Sequence, residues 1–255
     1  MSFSKDVKLE SGGTILYFKY LTWDTKFFGK NSFILDMEKS RIRPCGRIRD
    51  LFGKAFKNCF ISVKLDPVYG REALDFMQSL DFKYIDTEVI LKYCGAAGQD
   101  IKCARPAKKI KILELKENKG LPYEELGSSF DKTRFHSDAM ISTQKADELW
   151  ISYIKNYKIT PLQHMFVASS GGKIAGAILA GESKDRKEAT LSFVAVLTGF
   201  KGMGIGSRLI GYAQESLKGT DLFTETQVSN KEALSFYIKN GFRKVEKVKT
   251  ILHRW

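Results

Sequence analysis

Cysteine, proline and histidine are scarce in this chain, at four, five and three of 255 residues, and none of them is clustered. Cys45, Cys59, Cys94 and Cys103 form no pair at the two-residue spacing of zinc or redox dithiol sites, and four in this length make no disulfide framework. Reduced thiols of a cytoplasmic protein are the expectation. His136, His164 and His253 lie far apart, so no metal site is expected. So little proline, beside 21 glycines, excludes collagen and low-complexity scaffolds. No apolar run reaches the roughly 18 residues of a membrane span. The opening Met1-Ser-Phe-Ser-Lys-Asp-Val-Lys8 has no apolar core of a signal peptide.

Basic charge is what the chain has in excess: 42 Lys and Arg against 29 Asp and Glu, a formal +13. The surplus is uneven. Residues 1–100 carry 16 basic and 13 acidic side chains, leaving 26 and 16 for residues 101–255. The second stretch is the better host for a polyanion, whether phosphate, nucleotide or nucleic acid. Nucleic acid is disfavoured, because no RNP-type aromatic signature or zinc-finger spacing accompanies the charge.

Periodicity predicts an α/β (α+β) chain in two parts. Strands are expected at Thr14–Tyr20, Phe33–Met37, Cys59–Leu65 and Tyr84–Tyr93, and helices at Arg47–Lys57 and Glu72–Leu80. This gives a small α/β domain over residues 1–98. A Gly-, Pro- and Lys-rich linker follows at 99–108, and a second domain at 109–255. There the pattern predicts strands at Ile110–Leu115, Met165–Ser169, Lys173–Ala180, Glu188–Leu197, Leu222–Val228 and Val245–Leu252. Helices are expected at Tyr123–Phe130, Lys145–Tyr157, Gly206–Leu217 and Lys231–Asn240. No internal repeat stands out.

The most informative stretch runs from the strand ending at Ala195-Val196-Leu197 through Lys201-Gly202-Met203-Gly204-Ile205-Gly206-Ser207 into a helix. Alternate glycines let backbone N–H groups turn to one point, and the helix N-terminus adds positive potential there. Such a loop suits a phosphate or diphosphate. A Walker loop needs Gly-Lys-Ser/Thr, whereas Gly206-Ser207-Arg208 stands here; a dinucleotide fingerprint wants glycine where Ser207 is. Downstream, Asn230 is a good N-cap and Gly241 a good C-terminal residue for the helix between them, with Ala233 and Tyr237 on one face.

Together these stretches resemble the GNAT N-acetyltransferases. Lys201 to Gly206 is similar to motif A, Arg/Gln-x-x-Gly-x-Gly/Ala, with Lys in the first position. Asn230-Lys-Glu-Ala233-Leu-Ser-Phe-Tyr237-Ile-Lys-Asn-Gly241-Phe242 is similar to motif B. The resemblance implies a mixed, splayed sheet flanked by helices in the second domain. It also implies acetyl-CoA as co-substrate, held by Ala195, Val196, Leu197, residues 201–207 and Asn230, and Tyr237 as the acid that protonates the departing thiolate. Read alone, Tyr237 is a core-edge tyrosine. No metal is implied.

A narrower resemblance covers most of the chain. Leu21-Thr-Trp23-Asp24-Thr-Lys-Phe27-Phe28-Gly29, Thr87-Glu88-Val89 and Thr133-Arg134-Phe135 are similar to the TDP-fucosamine acetyltransferases. Those enzymes acetylate a dTDP-linked 4-amino-4,6-dideoxy sugar for surface polysaccharide. The implied acceptor is a nucleotide-linked amino sugar, with Glu88 taking the amine proton. Trp23, Asp24, Phe28 and Arg134 would bind the acceptor, Arg134 at its diphosphate. Plainer readings are a solvated strand-edge Glu88, a turn residue at Asp24, core aromatics and a surface Arg134. A homodimer would be the assembly. A GNAT enzyme acting on an amino acid, polyamine or protein N-terminus is the alternative, and a basic nucleic-acid-binding module a remoter one.

Overall fold

The computed structural model describes residues 5–43, 46–95 and 110–255. The linker expected at 99–108 lies outside the described residues. The chain forms two compact units. One comprises Met1–Glu88, Ser137–Met140 and Val248–Trp255; the other comprises Val89–His136 and Ile141–Lys247. Spatial grouping and chain order therefore differ at two places, a tetrapeptide and the C-terminal octapeptide.

The first unit is built from β1 (Val7–Ser11), β2 (Thr14–Tyr20), α1 (Thr22–Phe28), β3 (Ser32–Arg41), α2 (Gly46–Ala55), β4 (Phe60–Leu65), α3 (Gly70–Ser79) and the start of β5 (Lys83–Tyr93). β1, β2 and β3 form an antiparallel meander, and β4 joins β3 in parallel through α2. α2 turns Ile48 and Phe52 inward, and these pack with Leu16, Phe18, Phe33 and Phe56. The Phe18 and Phe56 ring centroids are 4.4 Å apart. Small domains need such dense aromatic cores, because little apolar area is there to be buried.

The second unit holds β6 (Ile110–Glu114), α4 (Tyr123–Ser128), α5 (Thr143–Lys155), β7 (Gln163–Ser170), β8 (Lys173–Glu182), β9 (Glu188–Val196), α6 (Ile205–Ser216), β10 (Asp221–Gln227), α7 (Lys231–Lys239) and the start of β11 (Phe242–Arg254). β6 to β9 are antiparallel in sequence order, and β10 adds in parallel to β9. Alternate residues of β7 and β8 serve opposite faces. Met165, Val167, Ala177 and Leu179 join the cluster that includes Leu126 and Ile154 of α4 and α5. Phe166 faces Tyr212 of α6, at 5.6 Å between rings. Helices thus cover both faces of a mixed sheet. α4 and α5 cross closely: a Cβ added at Gly127 would stand 2.7 Å from the Ile151 amide nitrogen.

Candidate functional site

The second unit contains a parting of two strands. β9 and β10 pair over only four residues, Glu188–Leu191 with Asp221–Thr224, although both strands run on. The cause lies in β9. Its pairing with β8 slips between Leu179/Ala180, whose partners are Phe193 and Leu191, so Ser192 is an extra, bulged residue. A bulge bends its strand and sharpens the twist, and the pairing with β10 stops at that level. Beyond the bulge, the Leu197 N–H donates to the Ala175 carbonyl (2.9 Å). Hydrogen-bonded and non-hydrogen-bonded pairs alternate along an antiparallel ladder. With Leu197 opposite Ala175, it is Val194 and Val196 that turn their N–H and C=O groups away from β8, into the parting. Of the three residues expected to face a cofactor here, Val196 presents its amide, and the Leu197 amide is engaged.

The glycine loop closes one end of this parting. After a 3-10 turn at Thr198–Phe200 the chain passes Gly202 (φ 77°) and Gly204 (φ 72°), both left-handed, and enters α6. Glycine is what permits two such conformations within three residues. The first amide bonded back along α6 is Arg208, to the Gly204 carbonyl, so the amides of Ile205, Gly206 and Ser207 have no partner in the helix. No acidic residue stands in the first turn. Gly206 is there for closeness: a Cβ on it would stand 2.9 Å from the Phe236 ring of α7 and 3.5 Å from the Val196 side chain. The end of β9, the start of α6 and α7 meet at this glycine.

Tyr237 follows Phe236 on α7 and is 5 % exposed, packed against the rings of Phe236 and Phe242. Its hydroxyl is hydrogen-bonded to Thr224, and burial pushes the phenol pKa above its ordinary value, against the smaller pull of that bond. Thr224 is the last β10 residue paired with β9, opposite Leu191, and donates to the Leu191 carbonyl. The phenol therefore sits where the strands separate. Thr224 and Ser192 are missed by sequence reasoning; a lone threonine or serine in a strand carries no signal of a bulge or a hydroxyl partner. Asn230 caps α7, accepting from the Ala233 N–H (3.1 Å) and donating to the Lys132 carbonyl (3.3 Å). Its side chain shapes the start of α7.

The acceptor-side residues divide between the units. In the second, Arg134 lies over the Phe135 ring, 4.7 Å from its centroid, and its buried Nε has no hydrogen-bond partner among the described residues. Its neighbours are tightly held: Thr133 Oγ1 meets His136 Nδ1 (2.9 Å) and Trp150 Nε1 (3.2 Å), and His136 Nε2 meets Asp147 (3.1 Å). In the first unit, Trp23 is 37 % exposed and stacks on Phe27, and Asp24 lies in the first turn of α1. Phe28 packs on Phe60 and Trp255. Glu88 is 2 % exposed, and Lys64 Nζ bridges both of its oxygens at 2.7 and 2.8 Å. Lys64 is a partner that sequence spacing did not flag. Also in this unit, Asp138 accepts from His253 Nδ1 (2.7 Å) and Trp255 Nε1 (2.9 Å). Among the described residues no group of three potential metal ligands occurs, and no helix is long and apolar enough to cross a membrane.

Residues 130–242 match the model of the acetyltransferase (GNAT) family. None of the curated proteins matches the chain. Solved structures share the fold at low identity. A protein of unknown function from Staphylococcus epidermidis aligns with TM-score 0.60 and 13 % identity, over 99 % of this chain and 95 % of its own. A GCN5-related N-acetyltransferase from Kribbella flavida gives 0.59 and 10 %, over 98 % and 89 %. One from Sphaerobacter thermophilus gives 0.57 and 14 %, over 96 % and 82 %. The mixed sheet flanked by helices is the GNAT fold.

Proposed function

From a second unit that carries the GNAT family match, we propose that this protein is an N-acetyltransferase that moves an acetyl group from acetyl-CoA to an amine. The single observation carrying this reading is the parted pair β9/β10, with free helix-start amides at one end and the Tyr237 hydroxyl at its apex. The diphosphate of acetyl-CoA would lie on the amides of residues 202–207, where glycine-rich backbone and helix N-terminus act together. Lys201 would add a cation. The pantetheine arm would run into the parting as a surrogate strand, hydrogen-bonded to Val194 and Val196.

In that pose the Val196 N–H polarises the thioester carbonyl. The neutral acceptor amine attacks the carbonyl carbon, the C–S bond breaks, and the Tyr237 hydroxyl gives its proton to the leaving thiolate. Keeping the phenol buried and protonated suits it to that role. Holding both substrates in one site supplies much of the rate.

For the acceptor we propose a nucleotide-linked amino sugar, a dTDP-4-amino-4,6-dideoxyhexose, used for surface polysaccharide. Its support is the likeness at Leu21–Gly29, Thr87–Val89 and Thr133–Phe135. The orphaned Nε of Arg134 adds to it, since such a donor suits an anionic group such as a sugar-nucleotide diphosphate. Trp23, Asp24 and Phe28 would contact the acceptor. Glu88, both of whose oxygens meet Lys64 Nζ, would take the amine proton, directly or through water. Thiol release from acetyl-CoA, followed across dTDP- and UDP-linked amino sugars, polyamines and peptides, tests both levels. Turnover with the 4-amino sugar nucleotides is expected. Turnover only with a polyamine or peptide would remove the sugar acceptor, and no thiol release with any amine would remove the acetyltransferase reading.

A further inference from the structure

The two units repeat one another. β1 and β2 are joined by Ser11-Gly12-Gly13-Thr14-Ile15, with glycine φ of 58° and 82°; β7 and β8 are joined by Ser170-Gly171-Gly172-Lys173-Ile174, with 58° and 79°. Both hairpins close in the same register, Ser11 opposite Thr14 and Ser170 opposite Lys173. In each unit a third antiparallel strand follows, then a helix, then a strand parallel to the third. Each parallel pair is short, Ser32–Ile34 with Phe60–Ser62 in one case and Glu188–Leu191 with Asp221–Thr224 in the other.

The next helices share a sequence. Arg71-Glu-Ala-Leu-Asp-Phe-Met77 in α3 matches Lys231-Glu-Ala-Leu-Ser-Phe-Tyr237 in α7. Both are followed by a left-handed residue and a phenylalanine, Asp81 (φ 65°) with Phe82 and Gly241 (φ 94°) with Phe242. A non-glycine residue at such φ is uncommon. Asp81 stands there because the fold needs that conformation at the same point in both halves. Hairpin and helix are displaced by one common spacing of about 160 residues.

The last strands are exchanged. In the first unit the strand beside β4 is β11, and in the second the strand beside β10 is β5. Each half thus supplies the closing strand of the other, which hides the repeat from a reading of chain order.

The copies differ where donor chemistry resides. Where the second has Lys201-Gly-Met-Gly-Ile-Gly206, the first has Arg41-Ile-Arg-Pro-Cys-Gly46, with one glycine and a proline that has no N–H. The Arg43 N–H is engaged by Thr14 Oγ1 at 3.1 Å, and the Thr14 hydroxyl bonds back to the Arg43 carbonyl. Met77 stands in the place of Tyr237, fully buried and without a proton to give. Gly70 replaces the capping Asn230.

We propose that the chain is an internal duplication of one acetyltransferase fold in which only the second copy keeps a donor site, so that each chain binds one acetyl-CoA. The inference rests on the donor-site reading of the second unit. Isothermal titration of the full chain with acetyl-CoA, together with native mass spectrometry, measures the stoichiometry. One equivalent is expected. Gly202→Asp is the matching variant: aspartate tolerates a positive φ, nothing lies within 4 Å of its Cβ position, and its charge opposes the diphosphate. Binding to it should weaken about 50-fold or more, with no residual site. Two equivalents, or one equivalent that persists undiminished in Gly202→Asp, would place a donor site in the first unit and overturn the inference. No binding by the parent chain would instead remove the donor site from the second unit, and this inference with it.

Discussion

A tyrosine that is to protonate a thiolate must keep its own proton while water is excluded, and Tyr237 meets both conditions. It is buried, its phenol pKa is raised by that burial, and its hydroxyl is hydrogen-bonded to Thr224. The sign follows directly. A phenol whose folded pKa lies above its unfolded value, about 10, favours folding at all lower pH. That contribution fades as pH rises through the folded value. Across neutral and mildly alkaline pH the group therefore remains an acid. Tyr237→Phe keeps the ring packing on Phe236 and Phe242 and removes the hydroxyl, the proposed proton donor, with its bond to Thr224. The expected outcome is a fall in kcat of about 100-fold or more, with KM for acetyl-CoA within about 2-fold. In the parent protein, any alkaline fall of kcat due to this group should begin above about pH 10. Steady-state thiol release against pH checks both, and an unchanged kcat for Tyr237→Phe would remove its role. At this scale the sequence was informative where chemistry forces a pattern: alternate glycines, an asparagine cap, a tyrosine about two turns on. It was silent on Thr224 and Lys64, whose importance arises from the strands that fold puts beside them.

Strands and helices were largely legible, because periodicity reports which face is buried. α2 shows Ile48 and Phe52, with Phe56 just past its end, at helical spacing, and β2 alternates Leu16 and Phe18 inward, so each is readable locally. α1 is different. Its seven residues bury none of their number, so no inward stripe announces a helix, and Leu21–Gly29 reads only as a motif. The parting of β9 and β10 is also illegible, since a bulge at Ser192 is a matter of register, which two strands decide together. Close helix crossing leaves a single trace, one glycine. At Gly127 an added Cβ would stand 2.4 Å from Ile151 Cγ1 and 2.7 Å from its backbone nitrogen, and a backbone atom cannot rotate away. Gly127→Ala should therefore separate α4 from α5 and cost about 1–3 kcal/mol despite its favourable helix propensity. Denaturant unfolding measures this; a stability equal to or above the parent's would contradict the crossing.

Across the whole molecule, chain order misleads most. A Gly- and Lys-rich stretch near residue 100 is visible in the sequence, whereas nothing local marks residues 248–255 as part of the first unit. Their allegiance is set by partners some two hundred residues away. Thr250–Arg254 pairs antiparallel with Ile61–Leu65, and Ile251 and Leu252 are fully buried. The Trp255 ring centroid lies 4.5 Å from that of Phe60, and Arg254 donates to the Phe56 carbonyl at 2.8 Å. A chain ending at Lys247 would lose two buried aliphatic side chains worth about 1.5–3 kcal/mol each, together with a whole strand ladder. It would also take from Asp138 its His253 and Trp255 partners, leaving it the Met140 N–H. The first unit should then open while the antiparallel strands β6 to β9 and α5 stay closed, since none of their pairings involves the missing residues. Hydrogen exchange distinguishes the two halves: amides of Phe60–Leu65 should lose protection by several orders of magnitude, and those of Met165–Ala168 should keep theirs. Equal loss in both segments would mean that the units do not hold separate cores. Unchanged protection at Phe60–Leu65 would mean that β11 is not what closes the first.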